Sequence, residues 1–495
     1  MSKHPTEVDI VFVGGGVSAC VAAGRLAATN PSLEILIIEQ GPNNFQDPNV
    51  ITPGLFGRHL APDAQTVQFW KANQSASLNG REAVLTTVNL VFVMDEGGML
   101  GGGSSVNLLV YSRPVTSDFD DWNVTGWESN ELIPLLKKVL FGHISIIFSF
   151  TILSVFQFEN YHVAPGRATH GYGGPINVCY NNNEGTVGKE YLDVCGQSGI
   201  PVVEDIMDLH TGYGCSRIPQ YVDPVTGYRQ DAAHRYIHTQ SSNKFLRFVT
   251  QTLVTRVLFD GTKAIGVEII GNRRQDPDAD QVPKVILARR LVVVSAGTIG
   301  SATILQRSGI GAPIQLAQCG VNTVVDLPGV GANYEDHCSL SQEVMFIFAD
   351  VRAHVWGYKK SREFARRMPS YRGEFAPFHP RFSEESAAAC VRLDAPLPPD
   401  SRDIAYTPED NRVIEEYVRQ HVGTGLHPIG TVRMAARDNG GCVDTRLNVY
   451  GTENLKVADL SIIPGNVGGN TYATALLVGE KAAILIAEDL GLTPA

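Results

Sequence analysis

Residues 8–41 hold a strand, a glycine turn, a helix and a second strand in close succession, and few architectures admit that order. VDIVFVGG reads as a strand buried on both faces. Ser18–Ala28 reads as an Ala-rich helix with Val21 and Leu26 on its apolar face; Pro31 breaks it, and LEILIIE is the next strand. At the first strand-to-helix turn, Gly14-Gly-Gly-Val-Ser-Ala19 spells GxGxxA. Gly14 permits the tight turn, Gly16 lets the backbone approach a pyrophosphate, and Ala19 allows close helix–strand packing. The helix N-terminus then faces the phosphates with its partial positive charge. Glu39 ends the second strand, where a carboxylate binds an adenosine ribose. Gln40 and Gly41 follow it rather than an arginine, which argues against a 2′-phosphate pocket. The unit predicts a dinucleotide site in a Rossmann-like α/β domain and leaves FAD and NAD both open. The bland alternative is a tight turn in an unrelated fold.

Charge and cysteine usage narrow the partners. A net charge of −11 argues against nucleic acid or an anionic membrane surface as the main partner. The eight cysteines are scattered without CxxC spacing, so no zinc site is expected. MSKHPTEVDIVFVGGG runs from a polar start directly into a strand, without a signal-peptide pattern, and with the unpaired cysteines this suggests a reducing compartment. The 495 residues leave room for two or three domains. One run, Val139–Phe158, is apolar and long enough to suit a bilayer helix. A buried helix or strand pair, or sequence that is not native coding sequence, suits it as well. The glycine-loop motifs on both sides of it argue against a membrane span.

Further glycine loops follow. GGMLGGGSSVN, Gly97–Asn107, follows no clear strand; it suits backbone packed against a flat ring or phosphates, or a surface loop. RRLVVVSAGTIGSATILQRSGIG, from Arg289, gives a buried strand, a turn at Gly297 and a helix ending at Ser308-Gly309. LPGVGANYEDH spans Leu327–His337. Near the end, a strand with Asp459 leads into a glycine loop and a long helix from about Thr471.

These passages, with LHPIGTVRM (Leu426–Met434) and GNVGGNTYATALLVGEKAA, stand in the order of the glucose–methanol–choline (GMC) flavoprotein oxidoreductases, which the chain resembles. Within that family it resembles the fungal alcohol (methanol) oxidases, through VWGYKKSREFARRM and RLNVYGTENLKVADLS. The resemblance implies FAD as cofactor, with Gly14, Gly16 and Glu39 holding its ADP half. It puts Gly102, Ser104 and Asn107 near the flavin and pyrophosphate, and Val254 at the adenine through its backbone. Asp459 lies near the pyrophosphate or ribityl chain, and Asn470 and Thr471 at the pyrimidine side. It implies oxidation of a small primary alcohol to an aldehyde, with O2 reduced to hydrogen peroxide. A dehydrogenase with another electron acceptor and a dead FAD-binding remnant are the rivals. Family alcohol oxidases are large homo-oligomers, and the family location is peroxisomal; the C-terminus GLTPA carries no SKL-type signal and leaves the cytoplasm open.

Alcohol oxidation through flavin needs a group that takes the hydroxyl proton and one that fixes the oxygen. Neutral histidine serves the first purpose, and an amide or second imidazole the second. The family positions are His427 and Asn470. Their bland readings are a packed histidine and a helix cap. His337, after Glu335-Asp336, is read as structural.

The chain also departs from the family. Asp336-His337 and Tyr358-Lys-Lys are nearly adjacent, where the family has a long segment carrying much of the substrate-domain sheet. The remaining strip, CSLSQEVMFIFADVRAHVWG, is expected not to supply that sheet. Val139–Phe158 replaces a polar loop, as a translated intron would, and the usual GTxxMG continues as Gly-Thr-Val-Arg-Met-Ala. The expected organisation is a discontinuous FAD domain, 1–138, 225–336 and 412–495, with an interleaved, partly missing α+β substrate domain, 160–224 and 337–411. Residues 139–159 form an anomalous apolar insert.

Overall fold

The computed structural model describes residues 5–61, 63–70, 73–80, 85–87, 90–92, 94–136, 158–180, 185–342, 344–348 and 351–492. Its central elements are β1 (Glu7–Val13), α1 (Val17–Thr29), β2 (Ile35–Ile38), β3 (Leu246–Val249), β4 (Thr252–Asp260), β5 (Lys263–Gly271), β6 (Lys284–Val294), α2 (Gly297–Arg307), β7 (Leu455–Val457) and α3 (Tyr472–Asp489). Five of the strands form a parallel sheet in the order β3-β2-β1-β6-β7. β6 joins the antiparallel and the parallel part of one seven-stranded sheet. Its first residues pair antiparallel with β5 (Lys284↔Ile269, Leu287↔Gly266), and its later ones pair parallel with β1 as far as Val294↔Val13.

The sequence of β6 records this change. KVILAR alternates buried and exposed side chains, as a strand covered on one face does. LVVV is buried throughout, as a parallel strand covered on both faces is. β2 and the last four residues of β1 show the same continuous burial. α3 is buried around nearly its whole circumference and lies against α1. Ser18 Oγ donates to Ala475 O at 2.8 Å across that contact. The buried Glu480 of α3 is neutralised by Arg25 of α1 at 2.8 Å and accepts from Tyr236 Oη at 2.9 Å.

A second region is built from three short strands and two helices. Cys338–Gln342 pairs antiparallel with both Val344–Phe348 and Gly423–Thr424. The helices Val351–Arg367 and Pro408–His421 pack on each other through Tyr358, Ile414 and Val418. Thr407 and Asp410 form a capping box ahead of Pro408, which fixes where the second helix starts.

The strip after His337 forms two short antiparallel strands, CSLSQ and VMFIF, with Gly423–Thr424 on the outer side of the first. Two expectations change. The boundary at 412 falls inside the helix Pro408–His421, which belongs to the second region. The loop Gly97–Asn107 does follow a strand, Met94–Gly97, whose partner is Val67–Trp70; its polar sequence MDEG hid it. The apolar run Val139–Phe158 lies outside the described residues except for Phe158, which is buried. Among the described residues no helix is long and apolar enough to cross a membrane.

Candidate active site

Two glycine turns lie back to back at the C-terminal ends of β1 and β2. Gly14 has φ +97°, and a Cβ there would collide with the carbonyl oxygen of Ser295, just past β6. The Gly101 N–H donates to Gly15 O at 2.8 Å, so the second turn is bonded to the first, and Gly102 caps the short helix Gly103–Val106. In front of Gly16 the space is open. A Cβ built there would find its nearest protein atom, Ser295 O, 3.7 Å away. Glu39 is buried and accepts from the N–H groups of Gly15 at 2.8 Å and Gly41 at 2.9 Å. Burial raises its pKa and those amides oppose the rise.

His427 is held by its backbone before its ring does anything. Its N–H donates to Asp336 Oδ1 at 2.9 Å, and Asn466 Nδ2 donates to its carbonyl at 3.3 Å. Glu335 and Ile429 bridge antiparallel beside it at 2.9 and 3.2 Å. The ring then meets two partners. Nε2 lies 3.0 Å from Asn470 Nδ2, and Nδ1 lies 3.0 Å from His337 Nδ1. Ser112 sets the Asn470 amide. Its Oγ accepts the Asn470 N–H at 2.6 Å and shares its single proton between Asn470 O at 3.2 Å and Oδ1 at 3.4 Å. Oδ1 thus faces a donor and Nδ2 faces the imidazole. The network assigns an unprotonated Nε2 and a proton on Nδ1 of His427.

The N-terminal family model of the GMC oxidoreductases matches residues 8–339 and the C-terminal one residues 331–479. The chain is 31% identical to an alcohol oxidase of Candida boidinii and to one of Pichia angusta, in each case over 98% of this chain and 96% of the relative. The chain belongs to the GMC oxidoreductase family. The first alignment runs to 665 positions against 495 residues here, so stretches of the relative have no counterpart in this chain. Among solved structures, a fungal aryl-alcohol oxidase superposes with a TM-score of 0.72 at 20% identity, over 99% of this chain and 100% of that one.

As a GMC oxidoreductase the chain is an FAD-dependent enzyme that oxidises alcohols at a CH–OH carbon. Its residues fit the cofactor: a turn that only glycine can make, an open space before Gly16, the N-terminus of α1 beyond it, and a buried carboxylate at the end of β2. Val254 lies two residues past Thr252, whose N–H donates to Glu39 O at 3.0 Å, so its strand starts at the ribose end of this cradle. Ala19 is fully buried in α1.

Other residues picked from the sequence have their side chains engaged within the protein. Ser104 Oγ donates to Gly101 O at 2.7 Å and accepts from Ala232 N–H at 3.0 Å. Asn107 Oδ1 accepts from Leu109 N–H at 3.0 Å and Arg229 Nη1 at 2.8 Å. Asp459 accepts from Gly297 N–H at 3.0 Å, Ser301 Oγ at 2.5 Å and Ser461 N–H at 2.9 Å, so it fixes the turn into α2. Thr471, not Asn470, is the N-cap of α3, and the Asn470 side chain turns to His427 instead of the helix. Sequence reasoning missed Ser112, Asp336 and Asn466. The first carries no motif signal, and the other two lie within quoted motifs whose partners are distant in sequence. No group of metal-ligating side chains occurs among the described residues.

Burial and the neighbouring His337 push His427 down to about 3. Burial also lowers His337, against the Val467 carbonyl and Asp118, which raise it. His427 is therefore neutral at physiological pH, the form that accepts a proton.

Proposed function

We propose that this chain oxidises a small primary alcohol to the aldehyde and reduces O2 to hydrogen peroxide. The observation that carries the reading is the convergence of His427 Nε2 and Asn470 Nδ2 at 3.0 Å, on segments that pack around the FAD cradle. A hydroxyl that displaces this direct Nδ2–Nε2 hydrogen bond donates its proton to Nε2 and accepts from Nδ2–H. Neither side chain needs to change tautomer or rotate its amide to receive it. Asn470 fixes the oxygen and His427 removes its proton, which leaves the C–H bond electron-rich and aligned. FAD, when bound, accepts the hydride and passes the electrons on to the oxidant. The alcohol oxidases at 31% identity support oxygen as that oxidant and a small alcohol as donor.

Anaerobic mixing of the FAD-loaded protein with a primary alcohol tests the first half, because flavin absorption bleaches as the alcohol is oxidised. Peroxide yield in air tests the second. His427→Ala is expected to keep its flavin and slow bleaching by about 10²–10⁴-fold, roughly 3–5 kcal/mol of barrier. Asn470→Ala is expected to slow it by less. Bleaching at the parent rate in His427→Ala would leave the proton with another acceptor. Bleaching without peroxide would favour a dehydrogenase. A second reading rests on the stretches of the relatives that have no counterpart here: the chain binds FAD without closing an alcohol pocket. A yellow protein that no small alcohol bleaches would favour it.

A further inference from the structure

The contact between His337 and His427 is set by the second region. Cys338 pairs with Thr424 and Ser339 with Gly423, and Ser339 Oγ donates to Thr424 O at 2.9 Å. That register brings His337 opposite Gly425, whose N–H donates to His337 O at 2.5 Å. A Cβ at position 425 would stand 2.7 Å from that oxygen and 2.9 Å from His337 Cβ, so only glycine lets the segments close. Two residues further on, the rings meet at 83° with Nδ1 3.0 Å from Nδ1. One proton fits between two such nitrogens. The Asn470 amide, oriented by Ser112, donates to Nε2 of His427, so the shared proton belongs to His427 and His337 accepts it.

We infer that His337 is a positioning residue for His427 that accepts its Nδ1–H hydrogen bond and takes that proton once the substrate proton has reached Nε2. This rests on the alcohol-oxidation reading above. The alcohol O–H bond breaks and its proton binds His427 Nε2. The His427 Nδ1–H bond breaks and that proton binds His337 Nδ1, leaving His427 neutral and the positive charge on His337. His337 then releases its Nε2 proton to water. Burial disfavours an imidazolium at both rings, but at the half-buried His337 the Val467 carbonyl and Asp118 oppose that effect, and at His427 no such group does. Tyr334, Glu335 and Asp336 are its other titratable neighbours along the chain. Asp336 is already turned to Thr424, Tyr334 and the His427 N–H, and Glu335 to the Asn466 N–H.

Two substitutions in the FAD-loaded protein test this. His337→Leu removes the acceptor. His337→Asn puts Oδ1 close to the place of Nδ1 and keeps an acceptor that cannot take up the proton. Anaerobic bleaching by a primary alcohol is expected to slow by about 10–100-fold in His337→Leu, with flavin retained and half-saturation by alcohol little changed. His337→Asn is expected to recover part of the rate and to lose the acid limb that His337 protonation gives the parent. Bleaching of His337→Leu at the parent rate, or His337→Asn slowed as far as His337→Leu, overturns the inference. ¹⁵N-histidine NMR reads the tautomer without any turnover. The His427 Nδ1–H form is expected in all three, because Asn470 still donates to Nε2, with the Nδ1 signal displaced in His337→Leu, where that proton has lost its acceptor. An unchanged His427 signal in His337→Leu overturns the inference even if no alcohol bleaches the parent, and failure of the parent to bleach refutes only the alcohol reading.

Discussion

The sheet that carries the cofactor motifs and the second region are stabilised by different means. In the sheet, Val8, Ile10–Phe12, Ile35–Ile38 and Val292–Val294 are almost wholly buried and apolar. Each such side chain contributes about 1.5–3 kcal/mol by leaving water, in no particular direction and with little response to salt or pH. The region of the helices Val351–Arg367 and Pro408–His421 has only small apolar clusters. In place of a large core, the first of these helices buries Arg362, Glu363, Arg366 and Arg367. Glu374 accepts from Arg362 at 3.1 Å, Arg366 at 2.7 Å and the Val391 N–H at 2.8 Å. Arg367 pairs with Glu363 at 3.0 Å and Asp403 at 2.9 Å. Such pairs add little net stability over an apolar core, yet removing one partner strands a buried charge. One region is therefore tolerant of small trims and intolerant of backbone collisions, and the other is vulnerable at single carboxylates.

The largest effect is expected at Gly14. Gly14→Val puts a β-branched side chain at φ +97° and against the Ser295 carbonyl, where β6 and β1 must stay paired. No flavin-bound protein is expected from this variant, as read by flavin absorption and by soluble yield. A yellow, folded Gly14→Val protein would mean that this turn is not what fixes the cradle.

Glu374→Ala comes next and strikes the other region. It leaves Arg362 and Arg366 buried without their shared carboxylate, a loss of roughly 3–5 kcal/mol. Trp356 stands on the same helix, and with the four tryptophans labelled as 5-fluorotryptophan its own ¹⁹F signal reports the unfolding of that helix. The Trp356 transition is expected to move to lower temperature while flavin release stays near its parent temperature. If both move together, the two regions unfold as one unit and the contrast between them fails.

Legibility follows the same division. The cofactor unit could be read from sequence because its signals are local: period and apolar runs give β1, α1 and β2, and the change in pattern along β6 marks where its cover changes. His427 and Asn470 were legible only through the family resemblance, since each sits in a loop with a bland alternative. What stayed hidden depends on distant partners. Ser112 reaches Asn470 across 358 residues, and no pattern near either announces it. His337 was read as structural because nothing in EDH shows that a second imidazole lies 3.0 Å away. Ser104, Asn107 and Asp459 were placed near the cofactor by family position, and the internal bonds of their side chains, to buried amides and hydroxyls of the surrounding loops, carried no sequence signal. The helix start at Pro408 is legible in its capping box, and a domain boundary at 412 cuts through that helix.

The smallest effect expected is a difference in acid response. His379 Nδ1 lies 2.8 Å from the Tyr358 hydroxyl, and burial, with Arg362 and Arg366 nearby, pushes it down to about 4. The unfolded chain binds that proton first, from about pH 6.5. His379 therefore contributes stability that is complete above pH 6.5 and is lost as pH falls toward 4. Glu374 is held at about 2, so its contribution is lost only as pH falls below the ordinary glutamate range, and it stays nearly intact from pH 6.5 to 5. On the cofactor side His238, pushed to about 4 by burial and His234, acts with the same sign as His379. His170, raised by Asp205 and Glu159 against its burial, acts with the opposite sign, its contribution being lost as pH rises. His379→Asn keeps a partner for Tyr358 and removes the titration. Melts followed at Trp356 between pH 7 and 5 are expected to fall with acid in the parent and less steeply in His379→Asn, while the pH response of flavin release is the same in both. Parallel slopes at Trp356 would mean that the arginine cluster does not set the acid response of its region, and a shallower slope for flavin release would mean that the cluster's electrostatics reach across into the sheet.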